Sequence, residues 1–276
     1  MAIANKLVGN APDALALEIT MGNVSVRFSQ DTWFALAGAE ASADLSGEAM
    51  PFHETVFAAA GDILTLGMAQ KGMRIYLAVA GGFMGEAFLR SRSTYLPAQF
   101  GGHKGRALGA GDEIETAAQP ETLNRLRTPD DLRPVLSNTY ALRACVSAET
   151  GALIDTSLDA LFGSQFSVGQ QVTRMGVSLE GEVLKVRSDG NMKSAAVFPG
   201  TVQCPESGTP IILLADAQTT GGYPRIASVA RGDRHLLGQV RPRDRIRLLR
   251  RSHQQALEDA RAKQALLQSW IPEFTF

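Results

Sequence analysis

The chain has 276 residues, 45% of them hydrophobic and 20% charged, with 27 Lys and Arg against 28 Asp and Glu. That length allows two modest domains or one large β domain, and a net charge of -1 gives no global attraction to nucleic acid or to an anionic membrane. The two cysteines, Cys145 and Cys204, lie far apart with no CxxC, which excludes a disulfide framework and a cysteine zinc site.

From its first residues, MAIANKLVGN, the chain lacks the basic start and continuous apolar run of a signal peptide. Its longest apolar runs, 76–80 and 211–215, fall far short of the about 20 residues that a bilayer-spanning helix needs. A cytoplasmic protein with no membrane or nucleic-acid partner is the expectation.

In chain order, short apolar or alternating runs predict strands: LALEIT (15–20), VSVRF (24–28), WFALAGA (33–39), ILTLG (63–67) and IYLAVA (75–80), then EIET (113–116), ALRACVS (141–147), VSLEG (177–181), IILLADA (211–217) and IRLLR (246–250). Turn residues punctuate them in an all-β rhythm. In 24–28 the apolar side chains alternate with polar ones, as on a strand with one face on a core. Residues 252–271 read instead as a C-terminal helix, with Ala256, Ala260, Leu267, Trp270 and Ile271 on one side and Lys263 interrupting the stripe. The polar face of that helix mixes both charge signs, which favours docking on protein over a membrane role.

A weak repeat organises the chain. The run 75–80 ends in Gly81-Gly82, and the run 211–215 is followed shortly by Gly221-Gly222. After each pair comes an Arg-containing stretch and a turn aimed at a strand, GAGDEIET (109–116) and RPRDRIRL (241–248); AAGDILTL (59–66) is a third such turn. Glycine before aspartate supplies the positive φ and the side-chain hydrogen bond of a tight turn. Two related β domains are expected, separated at 126–134, where Thr128-Pro129-Asp130-Asp131 and Pro134 break every strand pattern.

The most distinctive stretch is 213–224, LLADAQTTGGYP. Two readings stand: glycines that admit a ligand close to the backbone, with Gln218, Thr219 and Thr220 orienting a carbonyl or carboxylate, or a tight connection in which Asp216 and the threonines cap loose backbone groups. A second candidate pairs Gly81-Gly82 with Arg92, Ser93 and Thr94 and with FGGHKGR (100–106), where arginine beside hydroxyls suits a carboxylate or phosphate, against the reading of a solvated loop. GGHKGR lacks the GxxxxGK[ST] spacing and the strand-to-helix plan of a phosphate loop. His53, His103, His235 and His253 are scattered, so no metal site is expected, and GxSxG is absent. A carboxylate pair of Asp216 with Asp233 is open. No Met-Lys-Met context for a biotin-carrying lysine occurs, so this chain is not expected to carry biotin itself.

The segments ANKLVGN, LALEIT, IYLAVAGGF, SRST, FGGHKGRALGAGD, TRMGVSLEG, PGTVQCPESGTPIILLADAQTTGGYPRIASVA and QVRPRD span residues 4–244. In them the chain resembles the biotin-dependent carboxyltransferase A and B subdomain family, which includes the C-type component of 5-oxoprolinase, the second component of allophanate hydrolase and the kinase-inhibitor antagonists. The resemblance implies a mainly β fold of two cyclophilin-like barrels with few short helices: subdomain A over 1–125, subdomain B over 134–250 and a helical tail over 251–276. It implies a small-molecule substrate and two sister subunits. One is kinase-inhibitor-like, of the carboxyltransferase C and D type (the B-type 5-oxoprolinase component), and the other is LamB/YcsF-like (the A-type component). The assembly would consume ATP to open 5-oxoproline to glutamate. A carboxyltransferase role toward urea, or non-enzymatic antagonism of a kinase inhibitor, are the alternatives, and a homo-oligomer is open. The substrate-binding candidates are Gly81, Gly82, Arg92, Ser93, Thr94, Arg174, Asp216, Gln218, Thr219, Thr220, Gly221, Gly222 and Tyr223; no nucleophile or general base stands out. Relatives usually begin with a further strand, so an incomplete first barrel with an unpaired edge is expected. Arg90 stands where the family favours Gly, Thr173 where it favours Asp, and 185–193 is more polar than usual.

Overall fold

The computed structural model describes residues 1–187 and 192–276, so part of the polar stretch 185–193 lies outside the described residues. The chain divides into two compact units, Met1–Val135 with Leu267–Thr275, and Leu136–Leu266 with Phe276.

The first unit opens with α1 (Ala2–Leu7) and continues through β1 (Leu17–Thr20), β2 (Gly22–Arg27), β3 (Thr32–Glu40), β4 (Ala43–Leu45), β5 (Glu48–Ala49), β6 (Thr55–Ala58), β7 (Ile63–Met68) and β8 (Lys71–Val79). These pair as two four-stranded sheets, β1-β8-β3-β6 and β2-β7-β4-β5. Central strands β3 and β8 are buried on both faces, and their sequences show why: large side chains alternate with alanine. Phe34, Leu36, Ile75, Leu77 and Val79 point into a core with Leu64 and Leu66 of the second sheet. Ala35, Ala37, Ala78 and Ala80 face the other way, where the missing bulk admits Ala4, Leu7 and Val8 of the N-terminal segment. Each fully buried leucine here contributes about 1.5–3 kcal/mol relative to exposure. Strand β6 is an edge, covered at its start by the chain's own 126–127 segment: Thr55 N–H donates to Leu126 O at 3.0 Å, and Glu54 bridges to Arg127.

The second unit contains β9 (Thr139–Val146), α2 (Asp155–Gly163), β10 (Gln165–Val172), β11 (Gly176–Glu180), β12 (Ala195–Ala196), β13 (Thr201–Gln203), β14 (Ile211–Leu213), β15 (Thr220–Gly221), β16 (Arg225–Val229), α3 (Arg234–Leu237), β17 (Arg245–Arg250) and α4 (His253–Gln268). Seven strands close into a barrel, β10-β11-β14-β13-β16-β9-β17, sealed by pairing of β17 with β10. Leu142, Phe166, Leu179, Val202, Ile212, Ile226, Ile246 and Leu248 fill it. Helix α4 begins with a capping box: Ser252 Oγ accepts the Gln255 N–H at 3.2 Å, and Gln255 Oε1 accepts the Ser252 N–H at 3.0 Å.

The three Asp turns share one geometry. At 59–62, 109–112 and 241–244 the aspartate carboxylate accepts the N–H three residues earlier, at 2.8, 2.6 and 2.8 Å. The third position has φ of +96° at Gly61, +87° at Gly111 and +72° at Arg243. Two expected strands are corrected. EIET (113–116) forms no strand and makes only a bridge from Thr116 to Phe83. The run 211–217 is a strand only as Ile211–Leu213, because Ala217 N–H turns back to Leu214 O at 3.2 Å. Among the described residues no helix is long and apolar enough to cross a membrane.

Candidate functional site

In the first unit, the Gly81-Gly82 turn leaves β8 with φ of +79° and +83°. A Cβ at Gly81 would lie 2.6 Å from Ala118 O, so both conformation and close approach require glycine there. The ANKLVGN segment brackets this turn. Asn10 Nδ2 donates to Val79 O at 2.8 Å and to Asn5 Oδ1 at 3.3 Å, while buried Asn5 donates to Ala14 O at 2.7 Å.

Residues 91–94 lie against Gly101-Gly102. A Cβ on Gly101 would meet Ser93 O at 2.3 Å, one on Gly102 would meet Thr94 Oγ1 at 2.0 Å, and one on Gly105 would meet Gln99 O at 2.0 Å. These glycines thus lie close to the chain's own residues, the Ser93 and Gln99 carbonyls and the Thr94 hydroxyl. Arg106 makes a bidentate pair with Asp112, both bonds 2.6 Å, and this pairing with the Gly109 N–H holds the Asp112 carboxyl well below its ordinary range. His103 Nε2 stands 3.7 Å from Asp112 Oδ1, beyond hydrogen-bond reach. Arg92 is exposed and meets no carboxylate among the described residues, so its guanidinium is available to an anionic ligand.

In the second unit, 218–224 is organised by a residue absent from the binding candidates, Gln203, which is 2% exposed. Gln203 Nε2 donates to Tyr223 O at 3.2 Å, and its Oε1 accepts from Gln218 Nε2 at 3.3 Å. Thr220 and Gly221 pair with Ala196 and Ala195, and Thr219 O accepts the Val197 N–H at 2.9 Å. Neither Gly221 nor Gly222 adopts a positive φ. Gly221 is required by sterics, since a Cβ would sit 2.6 Å from Gln203 Nε2. Pinned in this way, the loop leaves Gln218, Thr219, Thr220, Gly222 and Tyr223 exposed. The Thr219 and Thr220 hydroxyls bond nothing among the described residues and stand free to donate to a ligand oxygen.

Arg174 and Asp216 come together in a bidentate pair, 2.8 and 3.1 Å, and the Asp216 N–H donates to Arg174 O at 2.8 Å. Asp216 is thereby a latch between two loops. Asp233 is engaged elsewhere by Arg143, at 2.9 and 2.5 Å, so the two aspartates form no dyad. Thr173 substitutes for the aspartate it replaces: its Oγ1 accepts the N–H groups of Met175 at 3.1 Å and Gly176 at 3.4 Å. Arg225 is held against Glu149 at 2.7 and 2.5 Å, fixing the exit of the loop after Pro224. No cluster of metal-ligating side chains occurs among the described residues.

The molecule is mainly β, its second unit is a closed barrel, and exposed hydroxyls lie on the 218–224 loop of that unit. The family model "Carboxyltransferase domain, subdomain A and B" matches residues 1–250, and the chain belongs to that family. It is 40% identical to the C subunit of the Escherichia coli 5-oxoprolinase over 238 residues, 86% of this chain and 76% of that protein. It is 38% identical to the C subunit of the Haemophilus influenzae 5-oxoprolinase over 86% of this chain and 75% of that protein. The crystal structure of the Kluyveromyces lactis urea carboxylase superposes with a TM-score of 0.91 at 24% identity, over 100% of this chain and 26% of that one, a likeness of fold.

Proposed function

We propose that the chain is the C-type component of an ATP-dependent 5-oxoprolinase that opens 5-oxoproline to glutamate together with sister subunits. The observation that carries this reading is the 40% identity with a 5-oxoprolinase C subunit over 86% of the chain. The chemistry of the exposed groups supports it. 5-Oxoproline presents a carboxylate and a lactam carbonyl; the exposed Arg92 of the first unit has the chemistry to take a carboxylate, and the second unit, by itself, offers the Thr219 and Thr220 hydroxyls to a carbonyl oxygen. Within the first unit Ser93 and Thr94 follow Arg92 and lie against Gly101-Gly102, and within the second Arg174 and Asp216 hold the barrel loops in place.

No step involving ATP is assigned to this chain. The nucleotide is consumed by the assembly, whose sister subunits are of the kinase-inhibitor-like and LamB/YcsF-like types. The test is a coupled assay on the reconstituted set: ATP-dependent glutamate should appear only when this chain is present. Equal turnover without it would end the reading, and carboxylation of urea with a biotin-bearing partner would replace it with the carboxyltransferase alternative.

A further inference from the structure

Residues Phe88 and Ser91 exchange both backbone hydrogen bonds, at 2.7 and 2.9 Å, closing a two-residue hairpin around Leu89 and Arg90. Both tip residues are left-handed, φ +48° and +68°. Such a turn favours Asn-Gly or Gly-Gly, because a Cβ clashes with the adjoining backbone in this region. Leu89 adds a second cost, since its side chain is 86% exposed. A strained backbone that holds a leucine out in water is not explained by folding.

The base of the hairpin is firm. Glu86 and Gly102 exchange hydrogen bonds of 2.9 and 3.0 Å, and the Phe88 ring stacks on Phe100 at 4.1 Å, with Tyr95 on Phe100 at 5.4 Å. A rigid pedestal thus presents one apolar side chain and one arginine, and Arg90 meets no carboxylate among the described residues. Preorganised display of this kind lowers the ordering cost of binding.

We propose that the tip is a docking element, with Leu89 seated in an apolar pocket of a sister protein while Arg90 meets a carboxylate at the mouth of that pocket. The proposal rests on reading the chain as one component of an assembly. A protein pocket fits better than a bilayer because one exposed leucine beside Arg90 offers too little apolar area to anchor in a membrane but enough to fill a side-chain-sized pocket. A local carboxylate engages Arg90.

The test mixes the full chain with the proteins encoded by its gene neighbours and reads affinity by titration calorimetry. Leu89→Ser should weaken binding about tenfold or more without lowering the melting temperature, as burial of one leucine side chain implies. Arg90→Gly should raise the melting temperature yet weaken binding and flatten its salt dependence. Wild-type affinity in Leu89→Ser overturns the proposal. So does flotation of the wild type, lost in Leu89→Ser, with vesicles of phosphatidylcholine and phosphatidylserine, which assigns the tip to a bilayer. Leu89-dependent assembly without ATP-dependent glutamate release keeps the docking element and ends the 5-oxoprolinase reading; glutamate release from a complex indifferent to Leu89 does the reverse. A wild-type chain that binds none of these proteins ends both.

Discussion

Replacing Gly221 with alanine tests how the 218–224 loop is held. The added methyl would lie 2.6 Å from Gln203 Nε2, so the Gln203 side chain must move. Gln203 is 2% exposed and makes its hydrogen bonds to Tyr223 O and Gln218 at 3.2 and 3.3 Å, so its displacement leaves a buried amide and a carbonyl underserved. That costs about 1–3 kcal/mol, offset by about 0.4–1 kcal/mol because alanine restricts the unfolded chain more than glycine. The net loss of about 1–2 kcal/mol should lower the melting temperature by roughly 3–8 °C for a unit of this size. In a Gln203→Ala background the methyl has room, and Gly221→Ala should be neutral or mildly stabilising, giving a coupling of about 1–2 kcal/mol in the double-mutant cycle. Thermal and urea unfolding of the four proteins, with the second unit followed separately by hydrogen exchange, reads this out. An identical cost in both backgrounds would refute the steric account of Gly221.

Thr220→Val should leave stability within about 1 kcal/mol, since the exposed hydroxyl makes no bond to lose, while the reconstituted assembly should lose activity about tenfold or more; full activity would remove the loop from the site. Arg90→Gly should stabilise the first unit by roughly 0.5–1 kcal/mol by relieving φ +68°, and unchanged unfolding would contradict the strain. His53 is buried beside Thr128, and burial, helped by the Arg133 charge, lowers its pKa to about 4. The unfolded chain therefore takes up a proton near pH 6.5 that the folded one refuses until about pH 4. Stability should fall between those values on acidification, by at most about 3 kcal/mol. His53→Asn, which tolerates the left-handed φ of +64°, should flatten that slope in urea melts at several pH values.

The alternation of large residues with alanine in WFALAGA and IYLAVA is legible because it reports two buried faces at once, a core on one side and a helix on the other. The C-terminal helix is legible from its apolar stripe, and its first turn from the Ser252 and Gln255 spacing. Strand β10 is hidden in the sequence because Gln165, Ser167, Gln170 and Gln171 mask the inward Phe166 and Val168. Strands of two or three residues, such as Ala195–Ala196 and Thr220–Gly221, carry no period to detect. Gln203 escapes because a polar residue between Val202 and Cys204 belongs to no catalytic pattern; the available signal is an apolar run interrupted by an amide, which a buried strand tolerates only when that amide is bonded. At Gly221 the operative constraint is the space left by Gln203, which no local pattern in the sequence announces.

The three Asp turns show which part of a local signal survives in the fold. Each holds its carboxylate bond and its left-handed third residue within four residues. Arg243 takes that conformation at φ +72° without being glycine, because its neighbours fix it: Arg243 N–H donates to Val168 O at 2.8 Å, and the Val168 N–H to Asp244 O at 2.7 Å. A strand after the turn is a different matter, because a ladder requires a second strand with unpaired groups at the right register. Ile63–Met68 finds Gly22–Arg27, and Arg245–Arg250 finds both Thr139–Val146 and Gln165–Val172. The residues after Asp112 form no ladder: Thr116 bridges to Phe83 and its hydroxyl accepts from Gln30 Nε2 at 3.1 Å, and Asp112 itself is drawn to Arg106. The same four-residue turn therefore launches a strand twice and a loop once, and the loop it launches runs back past the Gly81-Gly82 turn, with Ala117 N–H donating to Gly82 O at 3.0 Å.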